Sequence, residues 1–145
     1  MSTPADVDDQ DFYAWALTTA ECIRQKRWHE IAWEHVAEEL EALGKRDKRE
    51  LASRVQVLVM HLLKWCYQPE HRSRSWRSTI REQRRQVQML LDDSPSLRPQ
   101  IPALLAQGYP YAREKALDET RLFTLPEACP FTPEQVLDDT CWPES

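Results

Sequence analysis

The sequence predicts an all-α fold, and three observations carry that expectation. Only two glycines occur in 145 residues. β-rich folds need many tight turns with positive φ, and two glycines cannot supply them. Apolar residues recur at three- and four-residue spacing through the first two thirds of the chain. Most of the ten prolines fall from Pro95 onward, so the last third should consist of shorter, broken pieces. A single helical domain over 1–145 is expected, with four main helices followed by shorter proline-broken ones. The termini, 1–7 and 140–145, are expected to be irregular.

The first helix is expected over about 8–26. Phe12, Trp15, Ala16, Thr19 and Ile23 share a face, with Asp6, Asp8, Asp9 and Asp11 at its positive end and Arg24 to Arg27 at its negative end. The second is expected over 33–43, with Trp33, Val36, Ala37, Leu40 and Leu43 inward and Gly44 ending it in a left-handed conformation. The third would open at an Asp47 cap and run to about 68. Leu51, Val55, Leu58, Leu62 and Trp65 or Cys66 form one stripe, and Val57, Val59, Met60 and Leu63 fill much of the remainder. A helix apolar nearly all round is buried on several sides, and Pro69 stops this one.

The fourth helix is expected from Ser73 or Ser75 to about 91, with Trp76, Ile80, Val87, Leu90 and Leu91 inward and its arginines mostly outward. Ser94 and Pro95 then open a helix over 96–108, and a second follows over 110–121 after a break at Gly108 and Pro110. The remainder is extended except for Thr132-Pro133-Glu134-Gln135, a capping-box pattern that opens a short helix to about 139.

The segments WEHVAEELEALGK, HLLKWCYQP, RSRSWRSTIREQRR, LLDDSPSLRP, YAREKA and CPFTPEQVLDD, in that order, resemble the family called domain of unknown function 29. The resemblance covers nearly the whole chain, from Asp11 to Pro143. It implies an all-helical bacterial protein and brings no activity, cofactor or catalytic residue. Where such proteins tend to open the second helix with aspartate, this chain has Ala32, which predicts an uncapped, frayed start.

Three clusters are candidate sites. His35, Glu38 and Glu39 share a face of the second helix and, with His61 of the third, would make a metal or acid–base cluster between the two helices. The Glu-x-x-His motif of di-metal bundles is reversed here and occurs once, so hydrogen-bonded core and surface roles are the favoured reading. Arg72, Arg74, Arg77, Arg81, Arg84 and Arg85 form a basic block on the fourth helix. Arginines near a helix N-terminus oppose the macrodipole, so something anionic should offset them. The favoured partner is the acidic face 34–41, within the chain or in a second subunit, ahead of another protein or a nucleic acid. The net charge of −5 is a poor prior for phosphate-backbone binding. Cys66 has no activating neighbour, and no G-x-S-x-G or P-loop occurs.

The expected function is therefore non-enzymatic: protein–protein interaction or self-association. Nucleic-acid binding through the basic helix, or metal chemistry at the His/Glu cluster, are the alternatives. No cofactor, small-molecule substrate or membrane partner is expected. The start MSTPADVDDQ lacks the basic and apolar regions of a signal peptide. The four cysteines lack CxxC spacing and are read as reduced thiols in a cytoplasmic protein, with Cys22 and Cys66 in the core. Trp15, Trp33, Trp65 and Trp76 are assigned inward, and Trp142 is expected to pin the tail.

Overall fold

A computed structural model describes residues 11–144, and among them there is no β-strand. Five α-helices follow in order: α1 (Phe12–Arg24), α2 (Trp33–Tyr67), α3 (Arg74–Asp93), α4 (Ile101–Glu119) and α5 (Pro133–Leu137). The expected start of the first helix at Asp8, and the irregular segment 1–7, lie outside the described residues. The chain falls into two compact units, Met1–Lys45 and Arg46–Ser145, and each is described by itself.

In the first unit, the Asp11 carboxylate accepts from Ala14 N at 3.0 Å and caps α1. At the other end Arg27 N reaches the Cys22 carbonyl at 2.9 Å and Lys26 N reaches Ile23 at 3.0 Å, the bond pair of a Schellman ending. That ending needs a left-handed residue, and Lys26 takes it with φ 58°. Trp15, Thr19 and Cys22 are the buried positions of α1. Phe12 and Ile23, which the spacing puts on the same face, are exposed. A 3-10 turn, Trp28–Glu30, leads into α2. The absent cap at Ala32 does not fray the helix: Trp33 Nε1 donates to the Trp28 carbonyl and Val36 N to the Ala32 carbonyl, each at 3.0 Å.

The expected break at Gly44 does not occur, because α2 runs through it as one 35-residue helix. No glycine has positive φ, so Gly44 is an interior residue and Asp47 is no cap. The flanking residues are nearly all strong helix formers, and a single interior glycine costs only about 1 kcal/mol against them. Trp33, Leu40 and Leu43, assigned inward, are exposed at 49%, 64% and 47%.

The second unit is built around the rest of α2. Leu51, Val55, Leu58, Leu62, Trp65 and Cys66 are buried as their spacing predicts, and Val59, Met60 and Leu63 with them. Ser73 caps α3 by accepting from Trp76 N, and Ile80, Val87 and Leu91 enter the same core. A 3-10 segment, Pro95–Gln100, precedes α4. The expected interruption at Gly108 and Pro110 is absent, since α4 continues through both. An interior proline costs about 3 kcal/mol. Against that, Ile101, Leu104, Leu105, Tyr109, Ala112 and Ala116 are all buried on one face, and the Tyr109 hydroxyl donates to the Pro126 carbonyl. After α4 the chain is irregular but anchored by buried Leu125 and Phe131 and by Arg113 Nε, 3.1 Å from the carbonyls of Leu125 and Pro126. The expected capping box is present: Thr132 accepts from Gln135 N, and the Gln135 side chain accepts from Thr132 N. No helix among the described residues is long and apolar enough to cross a membrane.

Candidate arginine–tryptophan interface

The basic block lies on α3 and on the turn before it, and its six arginines divide by what they touch. Arg72 donates from Nε to the Trp65 carbonyl at 2.8 Å, lies 4.8 Å over the Trp65 ring, and reaches Glu144 at 3.4 Å. Arg77 sits over both Trp65 (5.5 Å) and Trp142 (5.6 Å), and Arg81 lies over Trp142 at 5.7 Å. The two indoles are themselves in contact, with ring centroids 4.9 Å apart. Trp142 therefore pins the tail, as its position suggested, and also seats the arginines. Each such cation–π contact is worth about 0.5–1 kcal/mol at an exposed site.

Arg85 is held within its own helix. Its guanidinium grips Glu82 at 2.7 and 3.1 Å, and this pairing lowers the Glu82 carboxyl to about 2. Arg84 departs from the expected outward orientation. It is only 2% exposed, donating from Nε to the Val136 carbonyl at 2.9 Å and from Nη2 to the Gln135 carbonyl at 3.0 Å. Burial pushes its pKa down. The signal was present in the sequence: Ile80, Arg84, Val87 and Leu91 share one helical stripe.

Arg74, Arg77 and Arg81 remain exposed, and none has a carboxylate partner among the described residues. Two shallow grooves run along them. One, of about 300 Å³, is lined by Trp65, Arg72, Ser73, Arg74 and Arg77. The other, of about 480 Å³, is lined by Arg74, Arg77, Ser78, Arg81, Glu82 and Arg85. Within the second unit, the partners found for the block come from α3 itself, from Trp65 and from the C-terminal segment.

The His/Glu candidates are not assembled. His35 lies 4.1 Å from the Trp15 ring, centroid to centroid, and 3.5 Å from Glu39, while Glu38 is exposed. His61 is half-buried and donates from Nδ1 to the Val57 carbonyl at 2.9 Å. Both histidines stand on the unbroken α2, without the chain reversal that the two-helix reading required. Among the described residues, no group of three or more His, Cys, Asp or Glu side chains is placed to hold a metal ion. Burial raises the thiol of Cys66, opposite to the shift that activates a nucleophile.

The family model for domain of unknown function DUF29 matches residues 8–142. The chain belongs to that family. No curated protein and no solved structure matches it. Membership in DUF29 assigns no activity to the arginine face, so its role has to be argued from the face itself.

Proposed function

We propose that this DUF29 protein is a non-enzymatic interaction protein whose α3 arginine face receives an acidic protein surface. The observation that carries the reading is the row Arg74, Arg77 and Arg81, exposed at three- and four-residue spacing without a carboxylate opposite. Long cationic side chains lose rotamer entropy on binding. Two of these three rest on Trp142 beforehand, which reduces that loss. Guanidinium groups pair with carboxylates in bidentate geometry, and the row presents three of them within two helical turns. A phosphate backbone is the weaker ligand, because its affinity rests on many summed cationic contacts and the chain carries a net charge of −5. The four free cysteines suit a reducing, cytoplasmic setting.

Fluorescence anisotropy with a labelled glutamate-rich helical peptide tests the proposal, with labelled duplex DNA as the competing probe. Wild type should bind the peptide with an affinity that falls as salt rises, and R74E/R77E/R81E should not bind it. Equal binding by wild type and variant would refute the reading. DNA binding without peptide binding would transfer the face to nucleic acid.

A further inference from the structure

We propose that the acidic surface is the N-terminal part of α2 in a second copy of this chain, an inference that rests on the reading of the arginine face given above. Glu34, Glu38 and Glu41 are all exposed and have no ion-pair partner among the described residues. They advance along α2 by four and then three residues. Read in the opposite direction, Arg81, Arg77 and Arg74 on α3 advance by the same four and three. At 1.5 Å per residue each row spans about 10 Å of helix axis. An antiparallel pair of these helices therefore sets Glu34 against Arg81, Glu38 against Arg77 and Glu41 against Arg74 in one register. A parallel pair would misplace the middle charge by one residue.

Exposed ion pairs are individually weak and screened by salt, so a stable contact must also cover apolar surface. The structure supplies it beside the acidic row. Trp33, Ala37, Leu40 and Gly44 lie one helical step away on α2 and are all exposed. The hydrocarbon stems of arginine cover such a stripe while the guanidinium groups reach the neighbouring carboxylates. Ala37 and Gly44, having little or no side chain, let a facing helix approach closely. Each copy carries one acidic row and one basic row, so a two-fold dimer of this kind repeats the same contact twice.

Sedimentation velocity on the full chain over a concentration series tests this with two charge-reversed variants, E34K/E38K/E41K and R74E/R77E/R81E. Wild type should dimerise, more weakly at high salt. Each variant alone should be monomeric, with dimer affinity reduced by more than about tenfold. An equimolar mixture should form a heterodimer, since it restores two complementary contacts, one wild-type and one reversed. Wild type that stays monomeric overturns the proposal, as does a variant that still dimerises or a mixture that does not. A monomer whose variants merely lose thermal stability would mean that the rows pair within one chain, and overturns it too. If a triple variant fails to fold by circular dichroism, the single pair E38K and R77E carries the same mixing test. Peptide binding that survives in a monomeric wild type would leave the arginine-face reading standing and remove only the second copy. Loss of both removes the two together.

Discussion

Arg84 of α3 donates to the Val136 carbonyl of α5 at 2.9 Å while only 2% exposed. A second bond, to the Gln135 carbonyl at 3.0 Å, makes one guanidinium fork a buried polar link between the basic helix and the C-terminal segment. That segment carries Trp142, on which Arg77 and Arg81 rest. The exposed face is thereby tied to a buried arginine. Arg84→Met removes both donors and leaves two carbonyls unpaired, at about 1–3 kcal/mol each. Urea denaturation should show a loss of about 2–4 kcal/mol, and amide exchange in α5 should quicken. Unchanged stability would mean that the fork contributes nothing. Arg84→Lys, which has the charge without the fork, should recover only part of the loss.

Glycine is present where the helix backbone does not require it. Gly44 lies inside α2, no positive-φ glycine exists, and a Cβ there would meet nothing within 4 Å. Gly44→Ala should raise stability by about 1 kcal/mol. The sign is diagnostic, because a left-handed glycine at a helix ending would make the same change destabilising.

Glycine is missing where the backbone would favour it. Lys26 holds φ 58° at the end of α1, a conformation that carries a penalty of about 1–2 kcal/mol for residues with a Cβ. Lys26→Gly removes that penalty but gives the unfolded chain more freedom. A net gain of about 0.5–1 kcal/mol is expected from thermal or chemical denaturation, and a loss would contradict the Schellman ending.

Burial is the main influence on His61 and lowers its pKa, against an opposing hydrogen bond to Val57. The unfolded chain therefore takes up a proton at this histidine, near pH 6.5, before the folded chain does. Its contribution is complete above that pH and is lost as pH falls toward the depressed folded value. Wild type should lose Tm through this window, and His61→Gln should lose less. Glu119 acts in a separate, more acidic window. Its bond to Lys64 lowers its pKa, so that contribution is present above about pH 4.5 and fades below it. Parallel Tm profiles for wild type and His61→Gln above pH 5 would contradict the assignment.

Periodicity made the helices legible wherever side-chain burial decided the outcome. The stripe of Leu51, Val55, Leu58 and Leu62, the face of Ile80, Val87 and Leu91, and the Thr132 capping box all stand as the spacing predicts. The breaks that local propensity predicts at Gly44 and Gly108–Pro110 are absent for one physical reason. Local propensity costs a few kcal/mol at most, and helix-forming neighbours or a buried face outweigh it. The basic block was legible as a surface row, but its internal partners were not. Spacing within α3 does not report that residues 135 and 136 come to lie against it, and Arg84 was hidden by the assumption that arginines point outward. The inward assignment of Trp33 and Leu40 failed because periodicity shows that a face is apolar, without showing that anything covers it.

In the proposed function, Arg74, Arg77 and Arg81 receive an acidic protein surface, with Arg77 and Arg81 seated on Trp142. The most direct measurement follows the arginine Nε–Hε resonances by NMR while the glutamate-rich helical peptide is titrated in. The signals of Arg74, Arg77 and Arg81 are expected to shift together and saturate, while that of Arg84, closed on Val136, stays in place. Absence of any shift in the exposed row, or equal shifts at Arg84, would contradict the proposed function.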